Sequence, residues 1–371
     1  MRWLVAGALV ALGLAGATAC SASGENTEGG RPDPAAEREQ DGSRPVLEGG
    51  PIDVAGLEGR IVFDDFEDVF VMDADGTGVR PLADRPGPEF DGAWSPDGRR
   101  IVYRDSRRGI NENDEVYVAR ADGSGARNLT RDPANDWGPD WSPDGRTIVF
   151  NSDRDGAPMS GYLVSPDGSG LRRIDADVWL EYPSFSPDGG SIVFMGHDGA
   201  DYEIYVADVA TGEATTLTDA PASDGWPVWS PDGSSIAFTS ERDDCLHTPT
   251  PAPCWIDPGG EPGEHRDVWL MDADGSNQRR VTPEYGQFVA WSPGGEYLLV
   301  SGSSLYVVRP DGTGRADVLP EGGGIPDWWD EGSDSNPRSA ELDGGPREVR
   351  RSLLQERVSR PASDPSPRLL R

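Results

Sequence analysis

Four serines of this 371-residue chain, Ser95, Ser142, Ser186 and Ser230, open the same tetrapeptide, Ser-Pro-Asp-Gly, directly after an aromatic residue, and a fifth copy opens at Ser165. A serine near a carboxylate is raw material for nucleophilic catalysis, but it also needs a base within reach. The chain has three histidines, His197, His247 and His265, so four such serines cannot each belong to a triad. It has no lysine, and no serine stands in a Gly-x-Ser-x-Gly elbow. Serine-peptidase chemistry therefore fails. Carboxylates are plentiful, with 66 Asp and Glu, and a glycoside hydrolase or lyase needs only a well-placed pair of them or a bound metal. None of them stands in a motif. Turns such as "DADG" lack the third ligand position that an EF-hand loop sets before its glycine. The histidines fall on separate or inserted loops, so no catalytic residue, metal or cofactor is expected.

The tetrapeptide has a simpler use. Serine suits the first position of a type I turn, proline brings the φ of the second already fixed, and glycine lets the chain swing into the next strand. The residues after each copy ("RIVY", "TIVF", "SIVF", "SIAF") are rich in β-branched and aromatic side chains and read as a strand. The aromatic before each turn is Trp94, Trp141, Phe185 and Trp229, in steps of 47, 44 and 44 residues, and a worn copy stands 62 residues on at Trp291. Blades of four strands repeat at about 40–45 residues. One period holds four strands, A to D, as in "YPSFS", "SIVFM", "EIYVAD" and "ATTLT". An Asp-Gly turn joins C to D, a hairpin signal.

The fold class is thus all-β, a β-propeller of four-stranded blades. The unit from Gly59 has strands B, C and D without an A, and "GIPDWWDEG" from Gly324 reads as an A without the rest. Together they complete a six-bladed ring in which a C-terminal strand finishes the first blade, removing an open seam.

The repeat P-x-W-S-P-D-G-x-x-I-V-F…D-x-Y-V…D-G-S-G…L-T resembles the WD40-like Pro-Asp repeat of TolB-type propellers, over residues 57–330. The resemblance implies the six-bladed fold. In prolyl-oligopeptidase relatives with this repeat, catalysis belongs to an attached α/β-hydrolase domain, for which residues 331–371 are too few. The α/β domain that precedes the propeller of TolB has no counterpart in the polar stretch before residue 57.

The ends differ in character from the ring. Residues 1–19 carry a basic residue, an apolar run and a small-residue exit, a secretory signal. Cys20 follows "ATA" as in a bacterial lipobox, so it is expected to carry lipid and hold the protein on the outer side of a membrane. Residues 20–56 are that cysteine and a flexible tether, and 331–371 a disordered tail in which "PREVRRSLLQERVSR" has amphipathic spacing. Cys245 and Cys254 are an even pair in an exported chain and read as a disulfide, in preference to a metal site with His247 and His265. A net charge of −33 argues against nucleic acid.

Strands alternate in direction, so the Ser-Pro-Asp-Gly and Asp-Gly turns share one face, and the D–A and B–C connections share the other. Long irregular connections gather on the second face, where function concentrates. The insertion from Glu241 to Arg266 lies there. So do the residues just before each anchor aromatic: Asp91, Asp136, Trp137, Glu181, Tyr182, Asp224, Trp226 and Phe288. Aromatics beside acids at a channel mouth suit a peptide, a cationic group or a sugar. The expected function is a non-catalytic, monomeric recognition module of the envelope that binds a protein or peptide partner. The alternatives are a carbohydrate-active lyase or hydrolase using channel carboxylates, and a small-ligand sensor.

Overall fold

The computed structural model describes residues 50–331, apart from 83–86, 108, 110–111, 157–158, 198–200, 221, 243–265 and 283–284. The expected lipidation at Cys20, the Cys245–Cys254 pair, His247, His265 and the C-terminal tail lie outside the described residues.

Six four-stranded antiparallel sheets form a ring. Their innermost strands, A, are Asp327–Trp329, Glu89–Trp94, Asp136–Trp141, Glu181–Phe185, Asp224–Trp229 and Gly286–Trp291 in blades 1 to 6. The strands B next outward are Arg60–Asp64, Arg100–Asp105, Ile148–Ser152, Ser191–His197, Ser235–Ser240 and Leu298–Gly302. As the sequence implies, blade 1 is completed from the far end of the chain: Ile61 lies opposite Trp328 and Val62 opposite Asp327. Trp328 Nε1 also donates to Glu58 O at 3.0 Å.

Each turn serine has its hydroxyl fully engaged. Ser95 Oγ donates to Asp97 at 2.6 Å and accepts the amide of Arg100 at 2.9 Å. Ser142, Ser186 and Ser230 repeat the pattern with Asp144, Asp188 and Asp232. Gly98 adopts φ +62°, and a Cβ there would strike the ring of Trp329, so this position requires glycine. The tetrapeptide closes hairpins, with its serine hydroxyls engaged inside the turn.

Between neighbouring blades the apolar sides of the sheets meet in buried layers. Blades 2 and 3 enclose Val102, Val118, Trp141, Ile148 and Phe150, and blades 4 and 5 enclose Val193, Ile204, Ile236 and Phe238. The run "IVF" recurs because strand B is covered on both faces, one neighbour packing on each side. The ring closes with a layer of the same kind, in which Ile61, Met72 and Trp328 of blade 1 meet Leu299 and Val307 of blade 6.

Candidate functional site

Strand A does not run straight. Its pairing with strand B slips between Phe90 and Ala93, Trp137 and Asp140, Glu181 and Ser184, Gly225 and Val228, and Gly286 and Phe288. Such β-bulges bend a strand and re-aim a side chain. In four blades the bulged residue is left-handed: Asp91 (φ 54°), Gly138 (58°), Tyr182 (48°) and Trp226 (49°). Counted from the anchor aromatic, the same position is Phe288 in blade 6 and Ile325 in blade 1. All six line the central channel at its D–A mouth.

Four of the expected partner-binding residues, Asp91, Tyr182, Trp226 and Phe288, are therefore brought onto one rim. Three of them touch in series: Tyr182 and Trp226 are 5.8 Å apart between ring centroids, and Trp226 meets Phe288 edge-on at 5.2 Å. Arg266, paired with Glu241, stacks on Trp226 at 4.4 Å. The rim is apolar on that side and carries a single carboxylate, Asp91, on the other. Burial pushes Asp91 above the usual carboxylate range, and the neighbouring Arg104 guanidinium pulls it back.

The remaining four go elsewhere. Asp136 is fully buried, and both its carboxylate oxygens accept from Arg154 Nη2, at 2.9 and 3.0 Å. Asp224 is equally buried and pairs with Arg242. Neither offers charge to a partner at the surface. Each ties the start of strand A to the residues after strand B. Trp137 lies under the Arg104 guanidinium at 5.7 Å. Glu181 accepts from the indole N–H of Trp179, and burial raises its pKa. Trp179, His197 and Tyr202 continue from it as a chain of aromatic contacts at 6.2 and 5.1 Å.

Two sets of residues escaped the sequence reading. The first, together with Asp91, holds three of the four left-handed amides in place. Asp64 accepts the amide of Asp91, Asp91 that of Gly138, and Asn151 that of Tyr182, at 3.2–3.3 Å. Asp64, Arg104 and Asn151 occupy one register position, where a polar residue interrupts the apolar run of strand B; that interruption was the available signal. Asp64 is raised to about 7, by burial first and by the charge of Asp91 second.

The second set lies deeper in the channel, a cavity of about 320 Å³. Asp140 accepts the amide of Phe185 at 2.8 Å, and Asp327 that of Trp94 at 2.7 Å. Each thereby joins the inner strand of its own blade to that of the next. Burial raises Asp140 to about 7 and Asp327 to about 6, and the charge of Asp327 also raises Asp140. A hydrolytic carboxylate pair would need oxygens directed at substrate. These are occupied by backbone donors. Among the described residues no three of His, Cys, Asp or Glu are gathered as a metal site.

Six radial four-stranded sheets about one channel, latched through their first blade, define a six-bladed β-propeller. Residues 65–179 and 175–245 match the family model of the TolB beta propeller domain, and the ring is a TolB-like β-propeller. Among solved structures, the chain is similar to TolB from Acinetobacter baumannii at 20% identity and TM-score 0.57, covering 73% of this chain and 66% of that one. It is also similar to a putative TolB from Agrobacterium tumefaciens at 20% identity and TM-score 0.54, covering 72% of this chain and 90% of that one. The tricorn protease matches at 19% identity and TM-score 0.56, covering 71% of this chain but 26% of its own. Likenesses of this size carry the fold alone. No curated protein sequence matches the chain.

Proposed function

We propose that the chain is an exported recognition module of the cell envelope, held to a membrane by lipid at Cys20, whose D–A channel mouth binds a protein or peptide partner without catalysing a reaction on it. One observation carries the reading: Tyr182 and Trp226, both bulky, sit at φ 48° and 49°. A non-glycine residue in that region costs of order 1 kcal/mol or more, and such strain persists where function holds it. Here it turns two large aromatics toward a channel mouth instead of into the inter-blade layers. Exchanging partly exposed aromatic surface for a partner's apolar side chains is the usual basis of an interface hot spot. Export and anchoring are supported by the apolar leader and the cysteine after "ATA". The non-catalytic reading is supported by the commitment of the turn serines and channel carboxylates to backbone donors.

The test is capture from envelope extract by immobilised protein. Tyr182→Ala and Trp226→Ala, each first shown to melt as a folded ring, should lose a partner that the parent chain retains. A pair of substitutions on the opposite face, Asp97→Arg and Asp144→Arg, should keep it in the folded fraction. Capture that survives at the rim and disappears with the turn-face pair would overturn the assignment.

A further inference from the structure

The face bearing the Ser-Pro-Asp-Gly turns is not uniform. Arg60 and Arg100, first residues of strand B in blades 1 and 2, stack on Trp94 and Trp141 of the next blades at 4.8 and 4.6 Å. In blades 4 and 5 that register position holds Ser191 and Ser235. The corresponding indoles, Trp229 and Trp291, are part-exposed, line the channel and have no stacked cation among the described residues. Beside them opens a groove of about 800 Å³ between blades 5, 6 and 1. It shares Pro231, Pro293, Trp328 and Asp330 with the channel. Five carboxylates line it, those of Asp53, Glu58, Asp232, Glu296 and Asp330, and no basic residue among the described ones does.

Strand A of blade 1 delivers the chain to this spot. The last described residues, Asp330 and Glu331, leave the ring there, with Asp330 itself on the groove wall. After fourteen intervening residues begins the segment 346–360, PREVRRSLLQERVSR, with five arginines against two glutamates in a chain of net charge −33. A polar linker of fourteen residues reaches on the order of 20 Å. It holds the segment near its own ring at an effective concentration in the millimolar range.

We infer that residues 346–360 dock on this face of their own ring, arginines among the groove carboxylates and over the Trp229 and Trp291 indoles, with Leu353 and Leu354 against Pro231 and Pro293. Guanidinium groups suit both surfaces, since they pair with carboxylates and stack on indole rings. Charge complementarity, the two part-exposed tryptophans and the point at which the chain leaves the ring all select this occupant. The contact lies on the face opposite the proposed partner mouth.

Photo-crosslinking in the full-length chain tests it, with benzoylphenylalanine in place of Leu354 and adducts mapped by mass spectrometry. Adducts should form within one chain, to residues 229–232 and 291–297. Their yield should fall about fivefold or more between about 50 and about 500 mM salt. The same fall should accompany Glu58→Gln, Glu296→Gln and Asp330→Asn combined; the salt series needs no variant and so stands even if that chain folds poorly. Adducts on the D–A face, adducts between chains, absence of intrachain adducts, or a yield indifferent to salt would each overturn the inference. Partner capture at the D–A mouth is read separately, so failure here leaves the proposed function standing, and the reverse also holds.

Discussion

Asp327 accepts the amide hydrogen of Trp94 at 2.7 Å across 233 positions of sequence. The bond ties the last strand of the ring to the second blade, while the same strand pairs with Arg60–Val62 of the first. One three-residue strand therefore secures two blades, and its removal exposes the edge of blade 1 together with an unpaired buried amide.

A chain ending before Gly324 should melt well below the full-length protein and aggregate through the exposed edge. A chain ending after Glu331 keeps the latch and should melt far closer to it. The single change Asp327→Ala should destabilise by about 1–3 kcal/mol, the cost of leaving a buried donor unsatisfied. Denaturant melts of the three proteins check this, and equal midpoints for both truncations would remove the latch.

Stability should pass through a maximum in mildly acidic solution. Asp64, Asp140 and Glu203 are raised to about 7, and Asp136 and Asp327 to about 6, in each case chiefly by burial. The folded ring therefore binds more protons than the unfolded chain between the ordinary carboxylate range and those values. That stability is fully present below the ordinary range and is lost as pH rises through the raised values. The turn aspartates act oppositely. Asp188 is lowered, first by the Ser186 hydroxyl, and Asp232, first by the amide of Ser234. Their contribution is present above the ordinary carboxylate range and lost as pH falls through the lowered values. Melting temperature should thus be higher at about pH 5 than at about pH 8 or pH 3. Asp140→Asn should flatten the alkaline side, and a monotonic rise from acid to alkali would contradict the assignment.

Turn, period, blade count and latch were legible because each is written in several copies, and a turn's chemistry is local. Which residues reach the channel was legible only in part. Position before the anchor aromatic singled out Asp91, Tyr182, Trp226 and Phe288, which line the channel. The same rule gathered Asp136 and Asp224, since sequence offset does not reveal that Arg154 and Arg242, each 18 residues later, fold back onto them. The bulge was hidden as well: a left-handed tyrosine or tryptophan has no propensity signature, and the amide of Tyr182 is held by Asn151 from another blade. Asp140 and Asp327 passed as ordinary strand polar residues because their partners are backbone amides.

The cysteines can be read by mass. Cys20 should appear as a lipid-modified N-terminus in material extracted from the envelope, and Cys245 and Cys254 should differ by two hydrogens with and without reductant. The loop is short, so its closure should contribute on the order of 2–3 kcal/mol on the chain-entropy model. Cys245→Ser with Cys254→Ser should shift the melt by no more than that. Free thiols at both positions in envelope material would contradict the pairing.

The Asp136–Arg154 pair yields the sharpest division between structural and binding roles. Both side chains are at least nine-tenths buried, and Arg154 also lies over the Phe150 and Tyr162 rings at 5.4 and 4.8 Å. Arg154→Met keeps most of the stem's packing but leaves the carboxylate uncompensated in the interior, which typically costs about 3–5 kcal/mol. Burial already raises Asp136 with the arginine in place, and without that charge it should rise further. The variant should therefore recover stability in acid more steeply than the parent chain. The double change Asp136→Leu with Arg154→Met removes both charges and should regain much of the loss. Partner capture by the folded fraction should keep its salt dependence throughout, because neither charge reaches the surface. A variant that melts like the parent but captures with an altered salt slope would return Asp136 to the binding face.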